Sequence, residues 1–119
     1  MSNYTEYINS WKRRAENNEE TVNSEEDLLK IRKYAQKCAQ ILATKFGSKR
    51  VYIFGSLVEG NFRKDSDIDI AVEGLNPKYY FKALVELYKI TKGIKVELIP
   101  LEKAFYKKDI IREGELIYG

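Results

Sequence analysis

Hydrophobic residues recur along this chain with two different spacings, one typical of helices and one typical of strands. Near the start the spacing is three or four residues, at Tyr4, Ile8, Trp11 and Ala15, which predicts an amphipathic helix from about position 3 to 18. The polar stretch that follows interrupts the pattern. We therefore expect an N-terminal helix and linker over residues 1–23 and a separate domain over residues 24–119.

A longer helical pattern begins at Ser24, which is suited to cap a helix whose first turn carries three acids. Its predicted core-facing stripe contains Leu28, Ile31, Ala35, Cys38 and Leu42, and Gly47 is placed to end it. A further helix is predicted after Asn76-Pro77, with an apolar side formed by Phe81, Leu84, Val85 and Tyr88.

Runs of β-branched and aromatic residues predict four strands near positions 50–54, 67–72, 94–99 and 116–118. Short helical pieces are expected between positions 101 and 112. Helices and strands in this order predict an α/β (α+β) domain with a small mixed sheet and helices on one face. We expect the other face, which carries acidic residues, to remain open.

The second strand alternates acidic and apolar residues, which places Asp67 and Asp69 on one face about 7 Å apart. In the third strand Glu97 reaches the same face if Val96 and Leu98 point inward. Clustered carboxylates repel each other, and a divalent cation such as Mg²⁺ relieves that repulsion. Three such groups would suit two metal ions about 3.5–4 Å apart, an arrangement used in phosphoryl and nucleotidyl transfer.

A turn after the first strand supplies the other half of this site. Gly55 allows the backbone to approach a phosphate closely, and the Ser56 hydroxyl adds a hydrogen bond. Arg63 or Lys64 is available to offset phosphate charge, and we favour Arg63; both side chains are also compatible with simple solvation. An isolated Asp-x-Asp pair is usually a solvated turn, so the prediction depends on the whole combination of strands, turn and acids.

Composition narrows the chemistry further. The 119 residues include 21 basic and 18 acidic ones, for a net charge of +3, and they are interspersed rather than clustered, so we expect no direct nucleic-acid binding. With no histidine, His-based triads and His-ligated metals are excluded. Cys38 is the only cysteine, so no internal disulfide forms, and no apolar run is long enough for a membrane span. We expect a cytoplasmic protein.

The segment GSLVEGNFRKDSDID resembles the GSx10DxD signature of minimal nucleotidyltransferases in the DNA polymerase β superfamily. The resemblance extends from the second predicted helix to the C-terminus. It implies that Gly55 and Ser56 hold the nucleotide triphosphate and that Asp67 and Asp69 bind Mg²⁺. The third acid of the family is usually Asp, whereas this chain has the longer Glu97.

The same resemblance implies a reaction in which AMP passes from ATP to a hydroxyl acceptor with the help of two Mg²⁺ ions. Stand-alone members resemble the antitoxins of HEPN–MNT toxin–antitoxin pairs, which modify tyrosine on a HEPN ribonuclease toxin. A HEPN-type protein is therefore the expected partner. Two alternatives stay open at this point: an antitoxin that neutralises its partner by binding alone, and a small-molecule nucleotidyltransferase.

Overall fold

The computed structural model describes residues 25–63 and 65–119. In chain order their helices and strands are α1 (Glu25–Thr44), β1 (Arg50–Phe54), α2 (Ser56–Glu59), β2 (Ile68–Glu73), α3 (Tyr80–Thr91), β3 (Val96–Pro100), α4 (Lys107–Glu113) and β4 (Glu115–Tyr118). Two short 3₁₀ turns, Pro77–Tyr79 and Leu101–Lys103, precede α3 and follow β3.

Three predictions fall outside the described residues. They are the N-terminal helix with Tyr4, Ile8, Trp11 and Ala15, the helix cap at Ser24, and the contribution of Lys64. The division between residues 1–23 and 24–119 consequently stays a prediction.

The four strands form one mixed sheet in the order β3-β2-β1-β4. Strand β1 lies antiparallel to both β2 and β4, whereas β2 and β3 run parallel. The mixed sheet predicted from the sequence is therefore confirmed. Because β2 and β3 are parallel and in register, residues at matching positions of these two strands project side by side from the same face.

One face of the sheet packs against α1 and α3 and contains the main hydrophobic core. The strands contribute Val51, Ile53, Ile68, Ile70, Val72, Val96 and Leu98, and α1 contributes Ile31, Ala35, Cys38, Ala39 and Leu42. The predicted stripe of α1 is thus confirmed at its buried positions. Burial raises the pKa of the Cys38 thiol to about 12, so this cysteine is an inert core residue.

The predicted apolar side of α3 is wrong at three of its four residues; only Leu84 packs, partly buried, against the core. This helix buries Ala83, Leu87 and Thr91, whereas Phe81, Val85 and Tyr88 are 78%, 55% and 37% exposed. Both sets of residues fit the same helical period, so hydrophobicity alone does not decide between them. The buried set contains smaller side chains, which let α3 approach α1, itself lined by Ala35, Cys38 and Ala39.

The prediction of an open second face is wrong for half of that face. There Tyr52 and Ala71 are covered by Leu101 and Ile110, which belong to the 3₁₀ turn after β3 and to α4. The segment between Pro100 and β4 folds back across the sheet because these two apolar side chains gain burial there. The remaining part of the face, around the first residues of β2 and β3, carries the acids.

Side chains from the helical layer bind backbone carbonyls of both outer strands. The Tyr80 hydroxyl donates to the carbonyl oxygen of Leu98 in β3 at 2.7 Å. The Gln36 amide donates to the carbonyl oxygen of Ile117 in β4 at 2.9 Å. Strand β3 also ends in Pro100, which has no N–H to donate and is tolerated at the edge of a sheet.

Among the helices that the structure describes, none combines the length and the apolar character needed to cross a membrane.

Candidate active site

Asp69 and Glu97 lie side by side on the second face of the sheet, because residue 69 of β2 pairs with residue 97 of parallel β3. Their neighbours Ile68 and Val96 point into the core, as the alternation predicts. The Ile68 N–H donates to the carbonyl oxygen of Lys95 at 2.9 Å, which fixes the register at this end. Asp67 immediately precedes β2, and its charge interacts with both Asp69 and Glu97.

The environment of Asp69 strongly favours its protonated form. Burial, the charge of Glu97 and a hydrogen bond with Glu97, followed by the charges of Asp67 and Glu59, raise the pKa of Asp69 to about 8. The Asp69 carboxyl is therefore much harder to ionise than an ordinary aspartate, and in its protonated form it donates a hydrogen bond to Glu97. A buried acid kept neutral by neighbouring acids marks a site suited to bind a cation.

Asp67 has a positively charged neighbour that Asp69 lacks. The Lys95 ammonium lies 3.9 Å from Oδ2 of Asp67, and the lysine side chain is 70% exposed. Burial raises the pKa of Asp67, Lys95 lowers it, and Glu97 raises it further. Because the lysine is largely in solvent, this ion pair compensates the acid cluster only weakly.

The Gly55-Ser56 turn joins β1 to α2 directly beside Asp69. Gly55 has φ 74° and ψ −148°, a conformation that side chains disfavour, and a Cβ at this position would collide with Oδ2 of Asp69. Ser56 is buried as the first residue of α2. The backbone N–H groups of Val58 and Glu59 donate to the carbonyl oxygen of Gly55, so they are already engaged within the turn.

Arg63 lies in the connection between α2 and β2, which is closed by two hydrogen bonds. The Arg63 N–H donates to the Ser66 hydroxyl at 2.8 Å, and the Ser66 N–H donates to the Arg63 carbonyl oxygen at 2.9 Å. These bonds hold the backbone of the loop and leave the role of the guanidinium as a prediction.

Two residues near the acids were not singled out from the sequence. Glu59 of α2 contributes a fourth negative charge at Asp69. Burial and then the charge of Glu97 raise the pKa of Tyr80, whose ring lies at the start of α3. Neither residue belongs to the Gly-Ser or Asp-x-Asp pattern, and only the packing of α2 and α3 against the sheet brings them near the site.

Residues 36–119 match the family model described as polymerase beta, nucleotidyltransferase. The chain belongs to this family. The match includes β1, the Gly-Ser turn and all three carboxylates. Family membership thus agrees with the resemblance found in the sequence, and the chain is a nucleotidyltransferase.

Two archaeal members of the family are similar in sequence. The protein MJ1379 of Methanocaldococcus jannaschii is 34% identical over 98 residues, which cover 76% of this chain and 96% of the relative. Protein adenylyltransferase MntA of Thermococcus cleftensis is 33% identical over 76 residues, which cover 60% of this chain and 77% of the relative. The similarity to MJ1379 therefore extends over nearly the whole relative.

A solved complex shows the same fold. It contains the tri-AMPylated HEPN toxin of Shewanella oneidensis with its MNT antitoxin. The matched chain gives a TM-score of 0.51 at 23% identity, with 76% of this chain and 71% of the other covered. At this level of identity the likeness concerns the fold, which is that of polymerase β-type nucleotidyltransferases.

The acids of this site fit the divalent cation that the family implies. Carboxylate oxygens are the ligands that Mg²⁺ prefers, and the excess negative charge at Asp69 would be neutralised by a cation. Within residues 25–63 and 65–119, no three acidic or thiol side chains are already arranged as a complete ligand set. Cation binding would therefore require the Asp69 carboxyl to release its proton and its hydrogen bond with Glu97.

Proposed function

We propose that this nucleotidyltransferase transfers AMP from ATP to a tyrosine hydroxyl of a HEPN-type ribonuclease toxin and so acts as an antitoxin. The observation that carries the proposal is the convergence of Asp67, Asp69 and Glu97 beside the Gly55-Ser56 turn. The protein adenylyltransferase from Thermococcus and the AMPylated toxin complex from Shewanella support both the reaction and the partner. Because ATP is the donor, we place the reaction in the cytoplasm.

In this mechanism Asp67, Asp69 and Glu97 would hold two Mg²⁺ ions. Bound Mg²⁺ neutralises phosphate charge and lowers the pKa of an attacking hydroxyl. Gly55 and Ser56 would hold the β- and γ-phosphates, and Arg63 would offset their remaining charge.

The proton of the acceptor hydroxyl passes to Glu97, which is exposed and lies next to Asp69. A bond then forms between the acceptor oxygen and the α-phosphorus. The bond from that phosphorus to the bridging oxygen breaks, and pyrophosphate leaves.

An exposed apolar surface on α3 supports a protein acceptor. We call Phe81, Val85 and Tyr88 the α3 stripe, because they lie at successive turns of one helix face. The ring of Phe81 packs edge-on against Tyr80, at 5.3 Å between centroids. The Tyr80 hydroxyl binds the carbonyl oxygen of Leu98, the residue after Glu97 in β3. The α3 stripe covers the opposite face from the acids but begins beside this edge of the sheet, so a protein docked on it would reach the carboxylates around the edge strand β3.

The decisive experiment incubates the full chain with Mg-ATP and a HEPN-type protein from the same genome. Intact-mass spectrometry should show the partner gaining AMP, and peptide mapping should place the modification on tyrosine. The partner could instead stay unmodified and yet lose its activity when mixed with an equimolar amount of this chain. That result would show that the antitoxin neutralises its partner by binding alone, without catalysis. A partner that is neither modified nor silenced would overturn the proposal.

The α3 stripe can be tested in the same assay. We expect Phe81→Asp to weaken modification of the partner about tenfold or more, because a carboxylate in a buried contact must be desolvated. Leu29→Asp is the matched control, since Leu29 is also an exposed apolar residue, at 59%, but lies on α1. Equal effects of the two variants would exclude the α3 stripe as the docking surface.

A further inference from the structure

Three aromatic rings lead from the acid site across the second face of the sheet. Phe54 pairs directly with Asp69 in the β1–β2 register. The ring of Tyr106 contacts Phe54 edge-on, with 6.5 Å between centroids, and the ring of Phe105 contacts Tyr106 at 5.0 Å. These rings connect the carboxylates to the surface through two successive aromatic contacts.

Phe105 is 96% exposed, more than any other large hydrophobic residue in the part of the chain that the structure describes. Its backbone is nevertheless fixed. Ala104 and Tyr106 pack against the cluster that contains Leu101 and Ile110. The Ala104 N–H donates to the Leu101 carbonyl oxygen, and the Lys107 N–H donates to the Ala104 carbonyl oxygen, both at 3.2 Å. Folding therefore presents this ring to solvent from a backbone that is held in a defined position.

The charges around this ring favour an anionic ligand. Four charged residues lie within three positions of Phe105, and all are exposed: Lys103, Lys107 and Lys108 are basic, whereas Glu102 is acidic. The net positive charge of this cluster raises the local concentration of polyanions such as nucleotides.

We propose that Phe105, supported by Tyr106 and Phe54, is the stacking site for the nucleobase of the nucleotide donor. This inference rests on the proposed function, in which the phosphates of the donor lie at Gly55 and Ser56. Phe54 directly precedes Gly55, so the row of rings begins next to the turn that would hold the phosphates. Stacking on an aromatic ring suits any flat base and is strongest for the larger purines.

The test compares ATP with inorganic tripolyphosphate, which lacks base and sugar. Binding of each to the full chain is measured by calorimetry with Mg²⁺ present. We expect wild type to bind ATP more tightly than tripolyphosphate. Phe105→Ala should weaken ATP binding about fivefold or more and leave tripolyphosphate binding unchanged, since only the base is stacked.

Two further variants make the result specific. Phe105→Trp keeps an aromatic face and should retain or improve ATP affinity. Ile111→Ala removes another exposed apolar side chain, 45% exposed on neighbouring α4, and should leave both affinities unchanged.

Several outcomes would overturn the stacking site. One is a wild type that binds ATP no more tightly than tripolyphosphate, and another is equal loss of both ligands in Phe105→Ala. If Phe105→Ala bound ATP as tightly as wild type but modified the partner less, Phe105 would contact the partner protein and not the nucleobase. ATP binding that depends on Phe105 without any AMP transfer would support the stacking site and contradict only the proposed function.

Discussion

Strand β2 separates two environments that differ in almost every respect. On the helix-covered face Ile68, Ile70 and Val72 are fully buried. On the other face Asp69 lies among Glu97, Asp67 and Glu59, whose charges all raise its pKa. Burial of each branched side chain stabilises the folded state by about 1.5–3 kcal/mol, whereas the clustered acids destabilise it. Burial on the helix-covered face therefore offsets the destabilisation that the clustered acids cause on the other face.

The largest expected effect is a loss of activity without a loss of stability when acids of the second face are replaced. Asp67→Asn combined with Asp69→Asn should reduce AMP transfer on the order of 10³-fold or more, because it removes the charges that hold the cation and the phosphates. Circular dichroism should show an intact fold with an unchanged or higher Tm. Glu26→Gln is the control, since Glu26 is an exposed acid in the first turn of α1, which covers the opposite face of the sheet. A fully active double variant would contradict the site assignment.

A substitution one position further along β2 should have the opposite effects: it should lower stability and leave the activity of the folded protein unchanged. Ile70→Ala removes a fully buried side chain from the helix-covered face and should lower the free energy of unfolding by about 2–5 kcal/mol. Urea denaturation measures this loss. The AMP-transfer activity of the fraction that remains folded should stay close to that of wild type. If Ile70→Ala kept its stability and lost activity, the core residue would influence the acid site directly, and the two faces would not be independent.

The next prediction distinguishes Glu97 from its neighbours on the acidic face. Glu97→Gln should slow AMP transfer on the order of 10²-fold, the usual value of general-base assistance, with little change in ATP affinity. Glu97→Asp should retain substantial activity, because it restores the residue more common in the family. Single-turnover rates together with ATP titrations provide the measurement. A Glu97→Gln variant that loses ATP binding and rate in parallel would make Glu97 a nucleotide-binding residue only.

The smallest effect concerns pH. The folded protein binds a proton at Asp69 up to about pH 8, whereas an unfolded Asp releases it near its ordinary pKa of about 3.9. The resulting stabilisation is complete below that ordinary pKa and is lost as the pH rises towards 8. Without divalent cations, Tm should fall by several degrees or more between pH 5 and 8.

The same measurement on Asp69→Asn is the control for this pH dependence. The slope of Tm against pH should become shallower, because the amide does not titrate. Addition of Mg²⁺ at pH 8 should raise the Tm of wild type more than that of the variant, since a ligand that binds the folded state stabilises it. Identical slopes in both proteins would assign the pH dependence to other groups.

Sequence periodicity predicted the acidic face well, because strand alternation has a strict period of two. Asp69 and Glu97 could be assigned to one face from Ile68, Ile70, Val96 and Leu98 alone. For α3 the helical period admitted two apolar faces, and the volumes of Ala83 and Thr91 against α1 decided between them. Glu59 and Tyr80 approach the site through tertiary packing, and Leu101 and Ile110 cover Tyr52 by a return of the chain across the sheet. Local patterns contain no information on such long-range contacts.

The hydrogen bonds at the two outer strands have a consequence for association. An outer strand with unpaired backbone groups invites a strand from another molecule, which is how many sheets extend into aggregates. Here the carbonyl oxygen of Leu98 already accepts a hydrogen bond from Tyr80, and that of Ile117 accepts one from Gln36. Pro100 has no backbone N–H to donate. Addition of a foreign strand would have to displace these contacts. We therefore expect the protein to remain dispersed at high concentration, and its partners to bind through side chains rather than by extending the sheet.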